Sequence, residues 1–223
     1  MSEINLGYEG KPEDYFGHSR REILPLFPAH ASRVLEIGCG AGDTLAWLKH
    51  IGRCDWVGGV ELFHDAAEIA KGKFDFVQEG NIEQIELPFE ADFFDVILCL
   101  DVLEHLVDPW LVIRRLHLLL KPGGVLICSI PNVRHHSVVL PLLFFGRWQY
   151  AKEGILDRTH LRFFSKESAV ELVECSGLRV DAVNSKSAKA WSKSAIVNFL
   201  CLTLFQSFFE FQYLVRAIKT DNS

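Results

Sequence analysis

Asp101, Glu104 and His105 stand at i, i+3 and i+4. In a helical turn that spacing places all three on one face. Carboxylates and an imidazole grouped this way support three kinds of chemistry. His105 can act as general base toward an acceptor hydroxyl, because imidazole titrates near neutrality. The trio can hold a divalent cation that orients an acceptor. His105 can also simply shape a ligand pocket. A purely structural reading stands beside these, a capping box with Asp101 as N-cap and Glu104 three residues on. Asp101, Glu104 and His105 are therefore the candidate catalytic residues, and no metal site is assigned.

A second constellation is the run Val34-Leu35-Glu36-Ile37-Gly38-Cys39-Gly40-Ala41-Gly42. An apolar strand pattern ends in glycines that permit a tight turn and close backbone approach, and a helical pattern follows. That order places a ligand at the carboxyl end of the first strand. Glu61 ends the next strand pattern, nineteen residues beyond Gly42. An acid there can accept hydrogen bonds from both hydroxyls of a ribose. A dinucleotide fingerprint would need a third glycine where Asp43 stands, and an aspartate there repels a pyrophosphate. Acids around the turn suit a ligand with positive charge and no phosphate. S-adenosylmethionine, with its sulfonium and α-ammonium, meets that description.

The elements that must position these residues follow from periodicity. Strand patterns cover Arg33–Ile37, Trp56–Glu61, Phe74–Gln78, Phe94–Leu100, Val125–Ile130, Leu178–Val183 and Glu210–Ile218. Helical patterns cover Thr44–Ile51, His64–Lys73, a segment opened by Asp108-Pro109 and running to about Leu120, and one capped by Ser165 and ending near Cys175. Lys121-Pro122-Gly123-Gly124 reads as the breaker between helix and strand. Strands alternating with helices predict an α/β fold, a mostly parallel seven-stranded sheet with helices on both faces.

The composition agrees. With 223 residues, 49% hydrophobic and 23% charged, the chain is globular rather than disordered. A net charge of −6 argues against a sequence-independent nucleic-acid binder. The six cysteines form no C-x-x-C pair, which argues against a zinc site or a dithiol motif and suggests a reducing compartment. No apolar signal core opens the chain, so a cytoplasmic location is expected.

The segments VLEIGCGAGDTL, GVEL, CLDVLEHLVDPW and LKPGGVLICSIPN, in that order, resemble the successive motifs of class I S-adenosylmethionine-dependent methyltransferases. The resemblance covers about Val34 to Asn132 and implies a Rossmann-like methyltransferase domain over residues 1–223. It implies that Glu36, Gly38, Cys39, Gly40 and Gly42 lie under the methionine part of the cofactor. Glu61 would hold the ribose and Leu62 would pack on adenine. Asn81 and Ile82 would meet the adenine edge, and Leu100 would line the methionine side. Asn81 stands where many relatives have aspartate; it keeps a carbonyl acceptor but not the charge. Around Asp101–His105 the chain is similar to ubiquinone-pathway O-methyltransferases, in which an acid and a Glu-His pair are associated with metal.

Residues 131–164 form a long connection at the ligand end of the sheet, where acceptor specificity is expected. Its LDRTHLRFF stretch resembles methyltransferases associated with glycan assembly. Arg158, His160 and Arg162 are candidates to meet a phosphate, carboxylate or sugar; the bland alternative pairs Asp157 with an arginine. Leu140–Phe145 is expected to be core or lid, with a surface for a lipid carrier as the alternative. Residues 1–30, with Tyr8, Tyr15, Phe16, Arg20 and Arg21, are expected either to cap the cofactor or to pack on the sheet edge. Ala195–Val215 is apolar but interrupted by Asn198, Gln206, Ser207, Glu210 and Gln212, so a helix followed by a buried strand is expected rather than a membrane span. The expected reaction is methyl transfer to a heteroatom, a hydroxyl on a small-molecule, glycan or lipid-linked acceptor, with peripheral membrane contact left open. N- or C-methylation and a non-catalytic binding module of the same fold are the alternatives.

Overall fold

The computed structural model describes residues 19–187 and 206–220. Seven strands form one sheet: β1 (Ala31–Ile37), β2 (Cys54–Glu61), β3 (Phe76–Glu79), β4 (Phe94–Leu100), β5 (Leu120–Pro131), β6 (Leu178–Ser187) and β7 (Glu210–Lys219). Their order across the sheet is β3-β2-β1-β4-β5-β7-β6. β1 to β5 pair in parallel, whereas β7 runs antiparallel to both β5 and β6. The expected mostly parallel sheet is thus a mixed sheet with one antiparallel hairpin. The helices are α1 (Asp43–His50), α2 (His64–Lys71), α3 (Pro109–Leu119), α4 (His136–Phe145) and α5 (Lys166–Glu174).

Alternation along the central strands builds a core on each side of the sheet. Val34, Val96, Leu98 and Ile127 pack with Leu45 and Leu48 of α1 and with Ile23, Leu26 and Phe27 of the segment before β1. Leu35, Ile97, Cys99, Leu126 and Cys128 pack with α3 and α5 through residues such as Ile113, Leu116, Leu172 and Val173. Both sides of β4 are buried, which is why it reads as a continuous apolar run.

Local chemistry sets the helix starts. Asp108 Oδ1 accepts from Leu111 N–H at 2.9 Å and Pro109 opens α3. Ser165 and Ser168 form the capping box of α5. The Lys121–Gly124 breaker lies inside β5 rather than between elements. Phe94 pairs with Leu120, the register shifts, and Val96 pairs with Val125. The expected loop is therefore a bulge in a longer strand. β3 begins at Phe76, because Phe74 turns its ring toward Gly42 and Gly59 instead of pairing.

Cys39, Cys54, Cys99, Cys128 and Cys175 are free thiols. Tyr8, Tyr15, Phe16, Cys201 and the stretch from 195 to 205 lie outside the described residues. Among the described residues, no helix is long and apolar enough to cross a membrane.

Candidate active site

The carboxyl ends of β1, β2 and β4 open onto a cavity of about 650 Å³. That is the size of a small-molecule or cofactor site. Of the residues singled out from sequence, Glu36, Gly38, Cys39, Gly40, Glu61, Leu62, Asn81, Ile82, Leu100, Asp101 and His105 line it. Gly42 and Glu104 do not line it.

The glycine turn is held by hydrogen bonds that need its unusual backbone. Gly38 N–H and Cys39 N–H donate to the Val60 carbonyl at 2.8 and 3.1 Å. Gly38 and Gly40 adopt φ of 67° and 53°, the left-handed region that favours glycine. A Cβ on Gly38 would sit 2.5 Å from Val102 Cγ2. Gly42 serves differently: its φ is 84° at the start of α1, and the Phe74 ring occupies the space a Cβ would need. It packs the turn against Ala70 of α2 and the Phe74 ring rather than lining the cavity.

Glu61 is buried and its carboxylate is aimed by two backbone donors. Gly40 N–H donates to Oε2 at 2.7 Å and Phe63 N–H to Oε1 at 3.0 Å. Burial raises its pKa, and those backbone bonds oppose the rise. Each oxygen keeps a lone pair for a ligand in the cavity. Glu36 is buried too, and its Oε2 has no hydrogen-bond partner among the described residues. Desolvation pushes this carboxyl up to about 8, with the nearby Arg20 charge opposing. Asn81 Oδ1 accepts from Glu83 N–H at 2.9 Å, so one of its two carbonyl lone pairs is engaged in its own loop.

The expected shared face of Asp101, Glu104 and His105 is not formed. Asp101 takes a left-handed φ of 57°, and the helical turn that follows is a short 3₁₀ segment, Leu103–His105, whose N-cap is Val102 with no side-chain cap bond. The capping box is therefore absent. Asp101 instead closes a polar knot at the cavity floor. Arg20 and the Gln212 amide donate to its carboxylate, and Ser129 Oγ donates to Oδ1 at 2.8 Å while accepting from Asp101 N–H at 2.8 Å. Glu104 is buried, both its oxygens lack hydrogen-bond partners among the described residues, and desolvation pushes it up to about 8.

His105 faces the cavity, and the 131–164 connection orients it. Leu161 N–H and Arg162 N–H donate to the Glu104 carbonyl at 2.8 and 3.0 Å, which pins the connection to the 3₁₀ turn. His105 Nδ1 then lies 3.1 Å from the Thr159 carbonyl oxygen. An N–H at Nδ1 makes that bond and leaves Nε2 as the basic nitrogen. The His160 ring stands edge-on to His105 with centroids 4.7 Å apart. Ligating atoms of Glu104, His105 and His160 lie within 4.8 Å of one another.

Of the three insert residues expected to meet an acceptor, only Arg158 reaches the cavity. His160 is buried, and its Nδ1 donates to the Ile155 carbonyl at 2.9 Å. Arg162 donates to the Val107 carbonyl and lies over the Trp110 ring. Asp157 Oδ1 accepts from Thr159 N–H and Oγ1 at 2.9 and 2.8 Å, and so shapes the turn that presents Thr159. Sequence reasoning missed Thr159, Thr44, Val102 and Phe63 as lining residues. None carries a side chain that signals chemistry. Arg20, in the segment expected either to cap the cofactor or to pack on the sheet edge, lines the cavity and reaches Asp101, Glu22 and Gln212.

The family model described as a methyltransferase domain matches residues 13–183. A ubiquinone biosynthesis O-methyltransferase of Albidiferax ferrireducens is 29% identical over 197 residues, spanning 81% of this chain and 75% of that protein. One from Coxiella burnetii is 29% identical over 185 residues, spanning 76% of each chain. Among solved structures, a SAM-dependent methyltransferase from Archaeoglobus fulgidus superposes with a TM-score of 0.68 at 21% identity, covering 93% of this chain and 97% of that one. A second, from Mesorhizobium loti, gives 0.63 at 19% identity, covering 95% and 100%.

Proposed function

This chain belongs to the methyltransferase-domain family and is an S-adenosylmethionine-dependent enzyme, and from that premise we propose that it methylates a hydroxyl group, with His105 as the base that takes the hydroxyl proton. The observation that carries the reading is the orientation of His105, which lines the same cavity as Glu61 and has Nδ1 committed to the Thr159 carbonyl. The sequence relatives described above are O-methyltransferases, which favours oxygen over nitrogen or carbon. The acceptor is a small molecule, a glycan or a lipid-linked intermediate.

The residues present fit the cofactor. Glu36 Oε2, without a hydrogen-bond partner among the described residues, would hold a donor-bearing cation, and the Glu61 carboxylate would hold a ribose diol. Leu62, Ile82 and Leu100 supply apolar walls, and Asn81 supplies a remaining carbonyl lone pair. When bound, the cofactor supplies a methyl group on a sulfonium, with a neutral thioether as leaving group. The protein's own work is alignment and water exclusion. As the acceptor oxygen gains the methyl, its proton passes to His105 Nε2. Arg158, at the cavity's edge, is the residue placed to meet a polar acceptor group.

The test is radiolabelled methyl transfer across matched acceptors that present a hydroxyl, an amine or neither on the same skeleton. Label in the hydroxyl acceptor alone is the expected result. Transfer to the amine alone overturns the oxygen assignment.

Two binding predictions arise here. Glu61→Ala removes a charged acceptor and should weaken S-adenosylhomocysteine binding by about 1.5–3 kcal/mol, roughly 10- to 150-fold. Calorimetric titration measures it, and unchanged affinity removes Glu61 from the site. Glu36 gives a pH signature. Its carboxyl is raised from the ordinary 4.5 to about 8 in the folded chain, so the empty protein holds a proton that the unfolded chain releases. That stabilisation is complete below about 4.5 and is lost as pH rises through about 8. A bound cation favours the ionised form, so cofactor binding expels the proton. Affinity for S-adenosylhomocysteine should therefore rise between pH 6 and 8, by up to about tenfold per pH unit. Glu36→Gln should flatten that slope, and an unchanged slope in the variant removes Glu36 as its source.

A further inference from the structure

The last turn of α4 is apolar around its whole circumference. Leu142, Leu143, Phe144 and Phe145 follow one another at about 100° steps, and all four are exposed, the last three by about 70%. Leu140 and Tyr150 extend the patch. This corrects the expectation that Leu140–Phe145 is core, and none of these residues lines the cavity. Only Val138, one turn earlier, is buried. The root of the helix is held firmly: His136 Nδ1 donates to the Phe208 carbonyl at 3.0 Å, and the Asn132 amide donates to the Ser207 and Glu210 carbonyls at 2.6 and 2.7 Å. Gly146, at φ 60°, ends the helix at the tip. A rigid root thus presents a protruding apolar end.

We infer that this end is a membrane-docking element that inserts its Leu142–Phe145 turn into the outer part of an anionic phospholipid bilayer. A helix of ten residues is about 15 Å long and cannot span a bilayer core. It can seat its apolar tip at the headgroup–acyl boundary. Charge complementarity selects the surface. The chain as a whole is acidic, at −6. The connection that carries α4 holds Arg134, Arg147, Lys152, Arg158 and Arg162 against Glu153 and Asp157; Arg134 faces Glu167, Arg158 lines the cavity and Arg162 lies over Trp110, which leaves Arg147 as the cation beside the tip. Arg147, directly after the tip, is exposed and lies 5.5 Å over the Phe145 ring, while Trp148 and Tyr150 follow it. Apolar tip, aromatic collar and cationic flank are the order in which an interfacial anchor meets lipid. The same connection supplies Arg158 and Thr159 to the cavity, so docking brings the cavity toward the lipid surface. The inference does not rest on the identity of the acceptor.

The experiment is flotation of the full chain, without cofactor, with vesicles of phosphatidylcholine alone or with added phosphatidylglycerol. Binding to the anionic vesicles, weakened by salt, is expected. Leu143→Glu/Phe144→Glu should lower the partition coefficient at least tenfold, since each buried side chain of this size accounts for about that factor. Arg147→Glu/Lys152→Glu should lower binding to anionic vesicles more than to neutral ones. Failure of the wild-type chain to float overturns the inference, as does equal flotation of Leu143→Glu/Phe144→Glu. Sedimentation and thermal unfolding identify the other occupants. A wild-type dimer dissolved by these variants, with no flotation, assigns the tip to a second copy. A large loss of thermal stability, again with no flotation, assigns it to the chain's own residues. Either result overturns docking on lipid.

Discussion

His105→Asn is expected to lower methyl-transfer turnover by about 10²–10⁴-fold, the usual contribution of a general base, while S-adenosylhomocysteine affinity stays within a few-fold of wild type. Asparagine keeps a polar N–H that can donate to the Thr159 carbonyl, the partner of His105 Nδ1, but it cannot accept the proton. Turnover from radiolabel transfer, set against affinity from calorimetry, separates this role from pocket shaping, which predicts the reverse pattern. Two neighbouring variants sharpen it. Glu104 is a buried carboxyl raised to about 8, so at pH 7 it is largely neutral and Glu104→Gln should change turnover little. Asp101 binds Arg20, Gln212 and Ser129, so Asp101→Asn should loosen the cavity floor and weaken affinity and stability rather than the chemical step. If Glu104→Gln matches His105→Asn in its loss and added Mg²⁺ or Mn²⁺ changes the outcome, the carboxylate acts through a cation and the base assignment fails.

Those residues also show where sequence reading reaches its limit. The glycine turn and Glu61 were legible because each acts through contiguous backbone: a strand, a turn that glycine alone adopts easily, and an acid at the next strand's end. Asp101 was not legible as a separate device. Helical spacing assumes helical φ, and at Asp101 the chain turns through the left-handed region, where the carboxylate meets Arg20, Gln212 and Ser129. Its partners Arg20 and Gln212 come from either end of the chain, and spacing carries no information about such pairings. The same holds for Thr159, which matters through its carbonyl oxygen rather than its side chain. The parallel half of the sheet follows from strand–helix alternation. The β7 reversal was not legible: β6 and β7 carry more polar residues than β4, but polar content marks a partly exposed strand and not its direction, and most of the connection between them, residues 188–205, lies outside the described ones. α4 misled for a related reason. An apolar run of this length looks like core by composition, and only the fold reveals that its last turn is left exposed among the described residues.

Gly40→Val is expected to abolish cofactor binding in a chain that still folds. Gly40 lines the cavity, sits at φ 53°, and gives its N–H to Glu61 Oε2. A branched side chain disturbs all three at once. It projects into space where backbone and cofactor must approach, it resists the left-handed conformation, and by shifting the turn it releases the donor that aims the Glu61 carboxylate. The backbone strain alone amounts to about 1–3 kcal/mol, which for a chain of this size lowers the melting temperature by roughly 2–12 °C. Gly52→Val isolates that part. Gly52 has φ 71° with nothing within 4 Å of a would-be Cβ, and it does not line the cavity. It should show a comparable loss of stability with cofactor affinity unchanged. Thermal unfolding and calorimetric titration of both variants decide the matter. Loss of binding in Gly40→Val alone assigns the glycine to the cofactor's approach. Unfolding of Gly40→Val while Gly52→Val stays folded assigns it to packing of the turn, and normal binding in Gly40→Val removes this cavity as the cofactor site.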